Sequence, residues 1–314
     1  MAGYVDNGEL ETTPEAPAKM KSASSWRVVF TRFRRNQAAL VGLILLGFLV
    51  LVAIFSWLDE IMFTYLDFGL LPYRPNQIFA GGANAFETPS NKHLFGTDNV
   101  GRDIFVRIIY GTRISITVGF VAVFVSLTIG TILGLVAGYF GGWIDSAISM
   151  VIETLLAFPS ILLALGILAF LGSSLENAMI AVGIVYIPYY ARIVRGQTLV
   201  ERELTYVEAA KVLGAKSPRI LIKHILPNVL GVLVIYSTLG IGTAILEVAA
   251  LSFLGLGALP PTAEWGAMIA DGRKFFSSAP HLVFYPGVFI LLTVLSFNLV
   301  GDGLREALDP RFKR

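Results

Sequence analysis

The sequence predicts an all-α membrane protein with six transmembrane helices. Three observations support this. Of the 314 residues, 55% are hydrophobic and only 15% charged; the mean hydropathy is +0.72; and the apolar residues fall into six long runs separated by the charges. Ordinary soluble domains have about 25% charged residues, so lipid must be part of this chain's solvent. The net charge of +2 provides no basic field of the kind that attracts nucleic acid. Cysteine is absent, and His93, His224 and His281 are far apart, which excludes disulfides, thiolate metal sites and a histidine-rich zinc cluster.

Residues 1–25 are rich in Pro, Ala, Glu, Ser and Thr and have too little apolar surface to offset the entropy of ordering, so a disordered tail is expected there. The first apolar run, Ala38 to Leu58, is not followed by a small-residue cleavage pattern and reads as an uncleaved span. A helix needs about 20 apolar residues to cross the hydrocarbon core, because every backbone polar group must be bonded internally. The other candidates are Ile114 to Tyr139, Ile144 to Leu171, Ala178 to Val194, Val229 to Leu254 and Leu282 to Val300. The fourth is the weakest: its charge-free stretch, Asn177 to Ala191, covers 15 residues and contains Pro188, so a re-entrant or core helix competes with a full span.

An even number of spans places both termini on one side, and the distribution of Lys and Arg selects that side. With a cytoplasmic N-terminus, 17 of the 24 basic residues lie inside and 7 outside, so both ends and the loop between the fourth and fifth spans are expected to be cytoplasmic. The chain then divides into a tail (1–37), the first helix (38–58), an extracytoplasmic segment (59–113), a five-helix body (114–303) with a cytoplasmic loop at 195–227, and a short tail (304–314).

That loop predicts two helices with a break between them. Leu204 to Leu213 consists of good helix formers, and Gly214 can supply the left-handed residue that ends a helix. Ser217 offers a cap oxygen, Pro218 suits the first helical position, and Pro227 marks a bend into the fifth span. Ala209 and Ala210, flanked by Glu208 and Lys211, leave a small-residue face suited to close packing of a partner surface. Taken alone, Glu-Ala-Ala fits an ordinary amphipathic cytosolic helix better than a docking element.

The spacing is more informative. Glu208-Ala209-Ala210, three residues, Gly214, and Leu226-Pro227 twelve residues later resemble the coupling motif of permeases in ATP-binding cassette importers. An aliphatic residue usually stands where this chain has His224, and the ending His-Ile-Leu-Pro-Asn is similar to the dipeptide, oligopeptide and nickel branch. Further segments resemble the second permease of that branch, in the same order: His93 to Asp103, Gly111 to Ser115, Ser252 to Gly257, Pro260 to Gly266 and Gly301 to Pro310. The resemblance implies a type I importer permease fold in the cell membrane of a prokaryote, a second homologous permease, two cytoplasmic ATP-binding subunits and an extracytoplasmic solute-binding protein. It also implies a coupling role for Glu208, Ala209, Ala210, Lys211, Gly214, Leu226 and Pro227. Neither a phosphate-binding loop nor any Gly-Lys pair is present, so this chain is expected to hold no cofactor and to perform no catalysis, with ATP and Mg on the partner ATPases.

Two carboxylates fall within predicted spans, where a charge costs about 2.5–3.5 kcal/mol on insertion scales unless solvated or paired. Glu153 and Glu247 are therefore candidates for lining a pathway, the alternative being carboxylates bonded between helices or near an interface. Gly130, Gly134 and Gly138 form two small-xxx-small steps, a packing face either within the subunit or toward the partner permease. Gly96 to Asp103 reads as a structural turn or a surface for the delivering protein. The closing segment reads as Gly301 stopping the sixth span, Asp302 capping a short turn and Pro310 ending it. An ion-coupled carrier would usually have more intramembrane charge and more spans, and a membrane enzyme would need a catalytic constellation, which the sequence lacks. Dipeptides, longer peptides, nickel chelates, sugars and opines all remain open as cargo.

Overall fold

A computed structural model describes residues 26–79 and 84–308; the expected disordered tail at 1–25 and Pro310 lie outside the described residues. The chain is built from helices, and the described residues contain no strand, only an isolated bridge between Thr97 and Asp103. A short helix α1 (Trp26–Phe33) leads into α2 (Gln37–Leu66), whose first turn is capped by Asn36 Oδ1 accepting from the Ala39 amide at 2.9 Å. Next come α3 (Ile104–Phe140), α4 (Gly142–Leu156), α5 (Ser160–Leu171) and α6 (Leu175–Glu201). A loop helix α7 (Thr205–Val212) and a single turn α8 (Ser217–Ile220) precede α9 (Leu226–Phe253), and α10 (Trp265–Gly272) and α11 (His281–Leu308) complete the fold.

The helices match the six predicted runs with instructive differences. Five helices are long and apolar enough to cross a membrane, and a sixth span results if α4 and α5 count as one. The predicted third span is broken: α4 and α5 meet at 97° across Ala157-Phe158-Pro159. Proline lacks an amide hydrogen and disfavours helical geometry in the residue before it, so Phe158 leaves the helix and Pro159 starts the next one. α6 is continuous through Pro188 and has 27 residues, long enough for a span.

α2 extends beyond Leu58 because Asp59, although charged, is fully buried and satisfied. It accepts from Tyr110 Oη at 2.5 Å, from the Leu70 and Leu71 amides, and from Arg74 Nη1 at 3.0 Å. α3 likewise begins before its apolar run. Arg107 is buried and donates to Pro75 O, Asn76 Oδ1 and Pro261 O at 3.0–3.2 Å, which fastens α3 to both segments at this end of the bundle. α11 runs through Gly301 and Asp302 to Leu308, so neither residue ends it. A Cβ on Gly303 would lie 2.2 Å from Ala39 Cβ and one on Gly301 2.5 Å from Leu239 Cδ2, so these glycines serve close helix approach rather than termination.

At the centre, α3, α6 and α9 share one buried apolar cluster, and the most extensive pairing is between α3 and α6. The glycine steps of α3 face α6: a Cβ on Gly130 would meet Tyr190 Cβ at 2.6 Å, one on Gly134 Ala191 O at 2.6 Å, and one on Gly138 Thr198 Cβ at 2.7 Å. This seam therefore packs within the subunit. Apolar side chains such as Ile44, Phe48 and Leu51 of α2 are exposed, as a lipid-facing helix requires.

Candidate functional site

α7 sits at the end of the bundle where α3 ends and α9 begins, and its orientation follows from helical spacing. Val207 and Ala210, three residues apart, point inward and join the buried cluster with Ile220, Ile225 and Val229. Ala210 is thus a packing residue, which corrects the expectation that Ala209 and Ala210 together offer an outward small-residue face. Lys211, expected to flank that face, reaches back with Nζ 5.7 Å from the Tyr139 ring at the end of α3. Glu208, Ala209 and Gly214 are exposed. Leu226 and Pro227 occupy the first turn of α9, Leu226 partly buried against the core and Pro227 exposed.

Two large apolar residues stand out on the outer surface of this loop: Val212 and Leu213 are 87% and 86% exposed. The sequence reading missed them, although two adjacent large apolar residues at a charged loop tip are themselves a signal for a partner. Gly214 turns the chain immediately afterwards with φ of +78°, and its amide is bonded to Lys211 O at 2.9 Å. Open space surrounds the position of a Cβ there, so glycine is required for its backbone angle rather than for room. The following segment differs in part from expectation: Lys216 is the cap residue of α8, Ser217 makes no capping bond, and a π-helical turn (Leu221–Ile225) joins α8 to α9 in one continuous helical run that includes Pro227.

A polar node ties α7 to the bases of two long helices. Tyr206 donates to Glu201 at the end of α6, and Asn228 Nδ2 donates to Tyr206 Oη at 2.9 Å and to His224 O at 2.8 Å. Partial burial and the neighbouring Glu201 carboxylate push the Tyr206 hydroxyl up to about 12. Because its folded value exceeds its ordinary one, the phenol's contribution is complete below about pH 10 and is lost only as pH rises through about 12. The node is therefore constant at physiological pH. Tyr206→Phe removes the hydroxyl's bonds with Glu201 and Asn228, with an expected loss of about 1 kcal/mol per bond between α7 and the bundle. Insertion should be unchanged while uptake by the assembled protein falls about tenfold, read by initial transport rates at equal membrane levels.

Deeper in the bundle, the break between α4 and α5 opens a cleft of about 400 Å³ against α6 and α9, walled by Phe158, Ser160, Tyr186, Tyr189, Tyr190 and Tyr236 among others. Glu247 of α9 stands behind it. Its Oε1 accepts from Ser160 Oγ and Tyr186 Oη, each at 2.8 Å, and its Oε2 is buried without a partner among the described residues. Glu247 is therefore bonded between three helices at the edge of the cleft. Glu153 is exposed on α4 and does not join this group. The break exists because of Pro159, and Ser160, the residue it exposes, is the one that reaches Glu247.

At the opposite end of the bundle, Gly96 to Asp103 forms a tied turn. Asp98 accepts from the Val100 and Arg102 amides and from Arg102 Nε at 2.6 Å, while Asp103 caps α3 and pairs with His93 Nδ1 at 2.7 Å. Glu264 caps α10 through the Gly266 and Ala267 amides, and burial pushes its carboxyl upward. Trp265 is buried over Gly111 and donates to Ile108 O at 3.2 Å.

Comparison with known proteins places these features in context. Residues 130–314 match the family described as binding-protein-dependent transport system inner membrane component, and residues 24–89 match the N-terminal transmembrane domain of oligopeptide transport permease C. The chain is 48% identical over 303 residues to a dipeptide transport system permease protein of Alkalihalophilus pseudofirmus, covering 96% of this chain and 95% of that one. It is 47% identical over 289 residues to a glutathione transport system permease protein of Shigella flexneri, covering 92% and 91%. Among solved structures, the inward-facing methionine ABC transporter MetNI aligns with a TM-score of 0.54 at 21% identity, over 65% of this chain and 97% of that one, which shows a shared type I importer permease fold.

Proposed function

The chain belongs to the family of binding-protein-dependent transport system inner membrane components, and from that premise we propose that it is the second permease of an ATP-driven importer of di- or oligopeptides. It is a multi-pass membrane protein, and the relatives named above are transport permeases. A second permease would complete the pathway, two ATPase subunits would supply hydrolysis, and a solute-binding protein would deliver cargo from the side of the Gly96–Asp103 turn. α7 and both termini would then face the cytoplasm, as the distribution of Lys and Arg supports.

The observation that supports this best is the uncovered tip of α7. Val212 and Leu213 lie in a loop between membrane helices, with Glu208 and Ala209 exposed nearby. Full burial of each large apolar side chain stabilises a contact by about 1.5–3 kcal/mol, so this tip is suited to a protein partner. Closure of the ATPases would push on α7, and the Tyr206 node together with the Val207–Ala210 packing would pass that displacement to α6 and α9. The bundle then exchanges two arrangements according to which one the ATPase state binds better. Dipeptide and glutathione relatives support a peptide-like cargo.

Reconstitution tests this directly. Proteoliposomes holding both permeases, the two ATPases and the binding protein are expected to accumulate labelled dipeptide on ATP addition, and a Glu208→Lys importer is expected not to. Uphill uptake by this chain alone, or normal uptake with Glu208→Lys, would overturn the coupling assignment; uptake of a different cargo class in place of peptide would overturn the cargo assignment.

A further inference from the structure

The aromatic cleft continues toward the α7 end of the bundle. Ile193, Tyr236 and Leu239 wall both that cleft and a second hollow of about 590 Å³, which lies between α6, α9 and the last turns of α11. α3 covers the other side of the α6–α9 pair through Gly130, Gly134 and Gly119, so the two hollows form one trough along the uncovered side. No side chain projects into the second hollow from Gly196 or Gly231, which leaves it wide.

Charge is distributed unevenly along this trough. Glu247 stands at the deep end, while the polar walls of the second hollow include Arg192, Arg305, Gln197 and Asn228 and, among the described residues, no acidic one. Other arginines nearby are already engaged: Arg195 makes two bonds to Asp145 at 2.5 and 2.8 Å, and Arg202 donates to Gly138 O and Glu203. Arg192 and Arg305 are exposed and make no ion pair or hydrogen bond among the described residues. They come from different helices, α6 and α11, and converge on one hollow. A guanidinium is a planar fork suited to a carboxylate, and two that line one hollow with no acidic residue among its described walls make a site for one.

We propose that Arg192 and Arg305 form a carboxylate-binding station at the α7 end of the trough, which receives the carboxylate of cargo leaving the aromatic cleft. Continuity with that cleft favours cargo over a lipid headgroup, which would need only a site at the bundle's rim. Asn228 belongs both to the wall of the station and to the Tyr206 node, so a displacement of α7 reaches the station through one side chain. The passage of cargo rests on the importer reading, whereas binding of the anion does not.

The assembled importer in nanodiscs of neutral lipid, without binding protein, is the material for the test. N-acetyl-alanyl-alanine and its C-terminal amide serve as probes observed by saturation-transfer NMR. The acid is expected to bind at least about tenfold more tightly than the amide, and Arg192→Gln with Arg305→Gln should abolish the difference. Should that pair fail to assemble, the Arg192→Lys and Arg305→Lys pair keeps the charge without the fork; it should retain a weaker preference for the acid. Absence of acid binding, equal binding of the amide, indifference to both pairs, or displacement of the acid by added phosphatidylglycerol would each overturn the proposal. An importer that refuses peptides while still binding the acid probe would overturn only the cargo assignment.

Discussion

An importer containing Gly214→Val is expected to assemble normally and to lose at least nine-tenths of its uptake, on the order of the factor set by 1.4 kcal/mol. Gly214 holds φ of +78°, where an ordinary residue costs about 1–2 kcal/mol and a β-branched one more. Nothing lies within 4 Å of its Cβ position, so the substituted side chain meets no internal obstacle. The strain is relieved by shifting the backbone that follows Val212 and Leu213, which moves the apolar tip relative to the Val207–Ala210 anchor. Gly214→Asn separates the two causes, since asparagine tolerates the left-handed region: it should keep most of the uptake. Transport rates measured beside ATPase recovery in the purified complex decide the matter. Equal loss with Val and Asn would mean that added bulk at the docking face, rather than backbone angle, is what the site cannot accept.

Sequence alone made the number of apolar runs legible, because lipid imposes length and composition on anything that crosses it, and those survive in one dimension. It made Gly214 legible because helices very commonly end on a left-handed residue and glycine adopts that conformation without strain. The break in the third run was overlooked since both halves are apolar, and hydropathy cannot separate a straight helix from two that meet at 97°; Phe158-Pro159 was the available signal. The extension of α2 past Asp59 was invisible because the groups that satisfy that carboxylate, Arg74 and Tyr110, are 15 and 51 residues away. Ala210 could have been placed inward from its spacing to Val207. Glu247 was a recognisable oddity, but its bonds to Ser160 and Tyr186 span 87 and 61 residues and arise only from packing. The Tyr206 node and the convergence of Arg192 with Arg305 belong to the same class: polar groups joined by the fold rather than by a local pattern.

Gly134→Leu is expected to prevent accumulation of folded subunit, a larger effect than any substitution at the α7 tip has on folding. A Cβ at Gly134 would lie 2.6 Å from both Ala191 O and Val194 Cβ, and 2.9 Å from Arg195 N. Two of these are backbone atoms of α6, which cannot rotate away, so even the first added carbon forces the helices apart. In lipid, helix association depends on close packing rather than on expulsion of water, so a wedge in the α3–α6 seam removes the attraction along its whole length. Overpacking a core usually costs about 1–3 kcal/mol; here the flanking contacts at Gly130 and Gly138 are lost with it, which places the cost at or above the upper end. Gly47→Leu on α2 is the matched control, since nothing lies within 4 Å of that position, and it should accumulate and melt like the parent. The readout is the yield of detergent-extracted monodisperse complex and its melting temperature. Parent-like melting of Gly134→Leu would show that α3 and α6 are held by other contacts.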